Sequence, residues 1–239
     1  MTFTYPEVTT IDTFYTNDAG MLITPEKLEF GKGYSLKEVS APYGYVLSHE
    51  AVKFDVTEEN STEESGVTVV AVKLGNYAQK GIIKISKTGE VFASVTAADG
   101  VYQPVYTVQG LAGATYEIKA TEDIYTPDGT LRCSAGEVVD TVTTGADGTA
   151  ESKPLYLGKY EITEMKAPDG MVVNKDAHTA EIVYAGQEIE ITETAASFCN
   201  DRQKARISLS KVLEQNKQFG IGMNNELSAV TFGFYAAEE

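Results

Sequence analysis

Two glutamates occupy the same place in two similar stretches of this sequence, residues 33–47 and 159–173. In each stretch an aromatic residue, an aliphatic residue and a glutamate alternate, and Ala-Pro-x-Gly follows. Successive side chains of a β-strand point to opposite faces, so this alternation places Glu38 and Glu164 in line with apolar side chains. A carboxylate buried without a partner is so costly that it either takes up a proton or acquires a specific neighbour. We therefore expect each glutamate to have a reactive neighbour on its apolar face.

Lysines end a second kind of apolar strand pattern. Lys87 shares a strand face with Ile83 and Ile85 in GIIKISK, and Lys211 has the same position in RISLSK. Lys84 is an alternative to Lys87, but alternation directs its side chain away from the isoleucines. The serine that stands at the corresponding place before Lys211 also favours Lys87.

Asparagines end the strand patterns that close each unit. Asn76 follows an apolar run on one strand face, and Asn200 lies two residues after Phe198. Asp201 is the neighbouring alternative, and the two-residue spacing favours Asn200. The three residue types recur at nearly the same interval: 124 residues for lysine (87 and 211), 124 for asparagine (76 and 200) and 126 for glutamate (38 and 164). A repeated interval of this kind indicates tandem modules.

These patterns resemble the Cna protein B-type domains, also called SpaA-like or prealbumin-like domains, of Gram-positive pilins and surface adhesins. The family's glutamate motif is similar to Tyr-x-Leu-x-Glu-x-x-Ala-Pro-x-Gly-Tyr. Two sets of residues match it, with Met171 replacing the last tyrosine of the second: Tyr34, Leu36, Glu38, Ala41, Pro42, Gly44 and Tyr45, and Tyr160, Ile162, Glu164, Ala167, Pro168 and Gly170. The segment LAGATY at residues 111–116 resembles the family's Leu-x-Gly-Ala-x-Phe pattern. The resemblance covers nearly the whole chain.

The resemblance implies an intramolecular isopeptide bond between the side-chain nitrogen of Lys87 and the side-chain carbonyl of Asn200, formed with release of ammonia and promoted by Glu164. Burial lowers the pKa of an amine and raises the pKa of a carboxyl, so a neutral nucleophile would stand beside an acid that can donate to the amide oxygen. The reaction runs once per molecule, which implies autocatalytic maturation and not an enzyme. The corresponding residues of the partial modules are Glu38, Asn76 and Lys211.

The predicted fold is all-β, with tandem reverse immunoglobulin-like β-sandwich modules. Residues 1–79 are expected to be the C-terminal part of one module, 80–203 a complete module, and 204–239 the N-terminal part of a following module. The many Thr, Val and Tyr residues and the Asp-Gly turns favour short strands, and no long stretch has helical periodicity. The insert at residues 89–110 and the segment 214–226 are predicted to be loops.

Three alternatives for function remain open from the sequence. The leading one is a structural stalk or shaft segment of a surface adhesin or pilus-like protein, with isopeptide bonds as staples. The second is an adhesin module that binds a host protein or glycan through exposed aromatic residues, for which Phe92, Tyr102 and Tyr106 are the candidates. The third is a head-to-tail polymer in which Lys211 of one copy meets Glu38 and Asn76 of the next.

Composition excludes several other classes. The formal net charge of -16 disfavours nucleic acid as a partner, because phosphate binding needs clustered Lys and Arg. Two cysteines and two histidines do not form a metal or nucleophile pattern, and no cofactor is expected. Cys133 and Cys199 can be either a disulfide or free thiols. The expected partners are neighbouring modules, and an extracellular, cell-wall-anchored location without membrane insertion in this segment follows from the resemblance alone.

Overall fold

A computed structural model describes residues 13–24, 27–59, 62–64, 67–220, 222 and 230–233. The chain divides into two compact units, Met1–Arg202 and Gln203–Glu239. All regular structure in the described residues is β-strand, and the prediction of an all-β fold is confirmed. Since the described residues form no helix, none of them belongs to a helix able to cross a membrane.

The described residues of the first unit form fifteen strands. In chain order they are β1 Gly31–Leu36, β2 Val52–Val56, β3 Thr62–Glu64, β4 Val67–Val69, β5 Lys80–Ala98, β6 Val101–Gly110, β7 Thr115–Ala120, β8 Ile124–Tyr125, β9 Leu131–Cys133, β10 Val138–Thr143, β11 Thr149–Glu151, β12 Leu155–Tyr156, β13 Gly158–Lys166, β14 His178–Ile182 and β15 Ile191–Asn200.

Two sheets enclose the main hydrophobic core. One sheet is built on β5, which pairs with β6, β11, β12 and β15, and the other has the order β10-β7-β13-β14. Their facing side chains form one buried cluster, to which β5 contributes Ile83 and Ile85 and the second sheet contributes Tyr116, Ile118 and other residues. The period-2 alternation of these strands produces this core, because every second side chain points between the sheets.

The first and last strands of the sandwich are direct neighbours. Strand β15 runs parallel to β5 with Phe198 opposite Lys87 and Asn200 opposite Gly89. In β5 the residues at positions 81, 83, 85, 87 and 89 are all buried, so the lysine continues the apolar face of its strand. This pairing places a lysine and an asparagine close together on the core side of one sheet.

The prediction of a loop at residues 89–110 is wrong. Strand β5 continues to Ala98 and pairs antiparallel with β6 throughout this stretch. Asp99 and Gly100 form the connecting turn with positive φ angles of 52° and 75°, the conformation that an Asp-Gly hairpin turn requires. Most side chains of this hairpin beyond residue 90 are exposed on both faces, so no buried face imposes a clear alternation on the sequence.

The first segment of the unit, meaning the described residues before β5, contains smaller sheets. Strands β1 and β2 pair antiparallel, and β3 pairs with β4. Tyr34 of β1 is buried and stacks on Phe54 of β2 with ring centroids 5.7 Å apart. An isolated bridge between Tyr45 and Ala78 joins the turn after the first glutamate motif to the residues that precede β5.

A buried glutamine lies where this segment meets the sandwich. Gln79 is 1% exposed, and its amide nitrogen donates to the carbonyl oxygens of Gly186 and Ile189. Its amide oxygen accepts from the backbone nitrogen of Ala185 at 2.8 Å, and its own backbone nitrogen donates to Gly44. One side chain therefore satisfies three backbone groups of the loop between β14 and β15.

The second unit has little regular structure in its described residues. The segment RISLSK at residues 206–211 forms no strand, and Ile207 and Leu209 are exposed. Most of residues 221–239, where the sequence predicts the continuation of a following module, lie outside the described residues. The division of the chain into modules at residues 79 and 203 stays a prediction.

Replacing Gln79 with alanine should lower the free energy of unfolding by about 1–2 kcal/mol, because three backbone groups lose their partners and water replaces them only in part. Denaturant unfolding of the purified chain measures this change. Gln103→Ala is the control, since Gln103 is exposed and should tolerate the substitution. Equal stability of the two variants would contradict a structural role for Gln79.

Candidate functional site

The lysine selected from the sequence is fully buried. The Lys87 side chain is 0% exposed, and its Nζ has no hydrogen-bond partner among the described residues. Burial lowers the pKa of Lys87, although the neighbouring Glu164 carboxyl partly opposes this shift. The alternative, Lys84, is half-buried, with 43% of its side chain exposed, and it pairs with Glu193 at 2.7 Å. Of the two lysines, Lys87 is therefore the one whose amine the fold buries beside a carboxyl group.

Glu164 reaches the lysine from the facing sheet. It lies in β13, is 3% exposed, and its Oε1 is 3.4 Å from Lys87 Nζ. Its Oε2 accepts from the backbone nitrogen of Asn174 and from the side-chain nitrogen of Asn200, each at 2.7 Å. One carboxyl group therefore contacts the amine through one oxygen and the amide through the other.

Asn200 ends β15 with its side chain inside the core, 4% exposed. Its Nδ2 donates to Glu164 and to the carbonyl oxygen of Val172, and its Oδ1 has no hydrogen-bond partner among the described residues. A backbone carbonyl only accepts hydrogen bonds, so the contact with Val172 fixes which end of the amide is nitrogen. The expectation that the acid faces the amide oxygen is thus not met, because Glu164 faces the amide nitrogen.

The arrangement combines the three groups that amide exchange requires. A buried amine stands beside a carboxyl, and the same carboxyl accepts a hydrogen bond from the side-chain nitrogen of the asparagine. The amine comes from β5, the amide from its neighbour β15, and the carboxyl from β13 in the other sheet. Fixing reacting groups in this way makes their encounter effectively unimolecular, an advantage of about 7–11 kcal/mol in favourable cases.

Sequence reasoning missed one member of this cluster, Tyr116 of β7. Its ring is 0% exposed and packs on Phe198 with centroids 4.6 Å apart. Its hydroxyl donates to Glu164 Oε1 at 3.4 Å, and burial raises its pKa. The sequence contained one signal for this residue: the segment LAGATY ends in tyrosine, where the family pattern that it resembles has phenylalanine. Only the strand register shows that this residue lies directly opposite Glu164.

A second carboxyl–amide pair has the same construction in the first segment. Glu38 Oε2 accepts from Asn76 Nδ2 at 2.6 Å and from the backbone nitrogen of Ser48 at 2.8 Å. Asn76 Nδ2 also donates to the carbonyl oxygen of Val46 at 3.0 Å. The backbone groups at 46 and 48 thus correspond to those at 172 and 174 around Glu164.

This second pair differs from the first in burial and in its missing amine. Glu38 and Asn76 are half-buried, and within the described residues Glu38 forms no ion pair with a lysine. Lys211, the lysine that the sequence assigns to the partial modules, is exposed and lies in the second unit.

The remaining candidates are not part of these two sites. Cys133 and Cys199 are free thiols, the first half-buried and the second exposed. Phe92 and Tyr102 are exposed on the β5–β6 hairpin, whereas Tyr106 is covered by the guanidinium of Arg202, 3.5 Å from its ring centroid. The described residues contain no group of three or more His, Cys, Asp or Glu placed to hold a metal ion.

Comparison with known proteins finds a curated relative and several solved structures of partial similarity. Over 74 residues the chain is 32% identical to the trypsin-resistant surface T6 protein of Streptococcus pyogenes serotype M6, which covers 30% of this chain and 14% of that protein. The chain therefore spans a small part of this relative's length.

Solved structures with partial similarity include the Bacillus anthracis TIE protein, at 27% identity over 78% of this chain and 28% of that one, with a TM-score of 0.43. The full-length major pilin SpaD of Corynebacterium diphtheriae is 23% identical over 52% of this chain and 30% of that one, with a TM-score of 0.34.

The sequence model of the family described as "SpaA: Prealbumin-like fold domain" matches residues 2–70 and 105–195. These ranges include both glutamate motifs and more than half of the chain. The chain belongs to the SpaA prealbumin-like fold domain family.

Proposed function

We propose that this chain is a structural segment of a bacterial surface stalk or pilus-like shaft, and that a bond between Lys87 and Asn200 covalently closes its central module. The observation that carries this proposal is the buried Nζ of Lys87, which has no hydrogen-bond partner among the described residues and lies 3.4 Å from the Glu164 carboxyl that also holds the amide of Asn200. An amine in this position has no structural purpose that an aliphatic side chain would not serve at lower cost.

The geometry supports a specific sequence of proton transfers. Lys87 Nζ attacks the side-chain carbonyl carbon of Asn200, and Glu164 Oε1 takes the proton that the nitrogen loses. Glu164 delivers a proton through Oε2 to Asn200 Nδ2, the carbon–nitrogen bond of the original amide breaks, and ammonia leaves. The products are one new amide and one ammonia, and Glu164 ends in its starting state, so no cofactor or oxidant is needed.

The proposed bond would tie together the two strands that begin and end the sandwich. It joins residue 87 to residue 200, a separation of 113 residues. By the chain-entropy estimate used for disulfides, closing a loop of this size stabilises the folded state by roughly 4–5 kcal/mol. Because β5 and β15 are parallel neighbours, tension entering at one strand would pass through the bond to the other. A shaft module under load needs this property.

The family and the named relatives support the role of the whole protein. The relatives include a surface protein and a major pilin, which favours an extracellular location at the cell wall and neighbouring modules as partners. We propose that residues 80–203 form the complete module, with parts of adjacent modules at 1–79 and 204–239. The reaction consumes its own lysine and asparagine, so the chain is not an enzyme with turnover.

The intact mass of the purified chain under denaturing, reducing conditions tests the bond. The wild type should be lighter than its calculated mass by one ammonia, and Glu164→Ala should have its full calculated mass, because no group remains to move the protons. Glu161→Ala is the matched control, since alternation along β13 directs residue 161 to the opposite face from 164. A wild type at full calculated mass would remove the proposed function.

The pH dependence of stability gives an independent test in Asn200→Ala, which keeps the amine but cannot form the bond. The lowered pKa of folded Lys87 means that the unfolded chain, with a lysine pKa near 10.5, binds a proton that the folded chain does not. The free energy of unfolding should therefore rise as pH increases from the folded pKa toward 10.5.

The wild type should lack this rise, because an amide nitrogen does not titrate. Lys87→Met is the control variant, since it also blocks the bond but has no amine. Denaturant unfolding below about pH 10, where exposed tyrosines begin to ionise, measures all three chains. The same slope in Asn200→Ala and Lys87→Met would contradict a neutral buried amine.

A second candidate function is covalent joining of copies through the pair at Glu38 and Asn76. The observation that favours it is the repeated construction of this pair without an amine, together with exposed Ile207, Leu209 and Lys211 in a strand-like sequence. A strand that carries Lys211 and pairs beside Asn76 would cover Glu38 and Asn76, as β5 covers Glu164 and Asn200.

Head-to-tail joining predicts multimers of the concentrated chain that persist under denaturing and reducing conditions. Asn76→Ala and Lys211→Ala should each leave monomers, because each removes one reacting group. Lys204→Ala, which changes another exposed lysine of the same unit, should leave the multimers intact. Monomers alone in the concentrated wild type would exclude this function.

Binding of a host protein or glycan is supported only by the exposed aromatic rings of Phe92 and Tyr102 on the β5–β6 hairpin. Tyr106 is less available, because Arg202 lies over its ring. Binding therefore ranks below the structural role.

A further inference from the structure

We infer that the hydroxyl of Tyr116 is a positioning group for bond formation, which holds the Glu164 carboxyl with Oε1 toward Lys87. This inference rests on the proposed function of the central module and assigns a role to a residue outside the lysine, glutamate and asparagine triad. Tyr116 acts through Glu164, and among the described residues its hydroxyl forms no hydrogen bond with Lys87 or Asn200.

The backbone register places Tyr116 where it can act on Glu164. The two residues are direct partners across the antiparallel pair β7–β13, and such partners have neighbouring side chains on one face of the sheet. The Tyr116 hydroxyl and Lys87 Nζ are each 3.4 Å from the same carboxyl oxygen, Oε1. The other oxygen is held by Asn174 and Asn200. Without Tyr116, Oε1 would keep only its contact with the amine.

Packing fixes the tyrosine ring, so its hydroxyl has one place to point. The ring is fully buried and lies against Phe198, which is itself the strand partner of Lys87. Tyr116 therefore belongs to the sheet that carries Glu164, and its ring contacts Phe198 in the sheet that carries Lys87. This arrangement links the position of the carboxyl to the closure of the sandwich.

The hydroxyl has no other role in the described structure. Its single hydrogen bond among the described residues is the one to Glu164, and burying a hydroxyl in an apolar core is unfavourable without a partner. A phenylalanine would fill the same space. Tyr160 is a useful contrast, because it is equally buried but its hydroxyl donates at 2.6 Å to the backbone of Tyr156.

Among the described residues, four groups face the Glu164 carboxyl, and they determine what changes when the Tyr116 hydroxyl is removed. Lys87 approaches from β5, Tyr116 from β7 and Asn200 from β15, and the backbone nitrogen of Asn174 follows β13. Cys199 is the additional titratable group that acts on Lys87. Without the Tyr116 hydroxyl, Oε1 loses the donor that holds it in place and keeps only Lys87 beside it, so the carboxyl is less well fixed for moving the proton of the amine.

The test follows bond formation in full-length chains made by pulsed cell-free synthesis and transferred to buffers from mildly acidic to mildly alkaline pH. Intact mass at timed intervals gives the rate at which ammonia is lost. Tyr116→Phe should react about tenfold more slowly than the wild type, the effect of losing one hydrogen bond to a charged group. The pH profile of its rate should also differ in shape from that of the wild type, because Tyr116 acts on the group that moves the protons.

Tyr160→Phe is the matched control, since it removes a hydroxyl from an equally buried ring that does not contact Glu164. It should react with the wild-type pH profile. Equal rates and profiles for Tyr116→Phe and the wild type would overturn the inference while leaving the bond itself intact. Equal slowing of both variants without a change in profile would also overturn it, because that result indicates packing alone. A wild type that loses no ammonia would instead remove the proposed function.

Discussion

The burial of one lysine amine is the constraint on which the rest of the central module depends. Lys87 lies fully inside an apolar sandwich, where a charged ammonium is costly and a neutral amine leaves its hydrogen-bonding capacity unused. Among the described residues it forms one ion pair, with a carboxyl at 3.4 Å, which offsets this cost only in part. Conversion to an amide would remove the cost of the buried charge, because an amide nitrogen is neutral and does not take up a proton. In this respect the unreacted core is less stable than the core that the proposed reaction creates.

The division of the reacting groups between the two sheets couples the proposed chemistry to folding. Lys87 and Asn200 lie on adjacent strands, but Glu164 and Tyr116 arrive from the opposite sheet. The four groups meet only when the sheets have packed and water has left the space between them. A low-dielectric interior then strengthens each remaining polar contact. Unfolded chains lack this arrangement, so reaction before folding is disfavoured.

The pair at Glu38 and Asn76 shows which part of the site is built locally. A glutamate strand, the turn after Ala-Pro-x-Gly and an asparagine suffice to form the carboxyl–amide contact and its two backbone hydrogen bonds. They do not suffice to bury it, since Glu38 and Asn76 are half-buried whereas Glu164 and Asn200 are fully buried. The lysine strand β5 and its neighbours supply the burial that would make the amine reactive in the central module.

The sequence by itself determined the all-β class and the residues of the central cluster. Alternation along single strands is a local property, so it assigned Lys87, Glu164 and Asn200 to buried faces and Lys84 to the opposite face of β5. The orientation of the Asn200 amide, the approach of Tyr116 and the buried contacts of Gln79 were decided only in the tertiary structure. Each depends on the register between strands and on the packing of sheets or segments distant in sequence, which no period-2 pattern encodes. The hairpin at residues 89–110 was missed for a related reason, because a strand exposed on both faces has no core to impose alternation on its side chains.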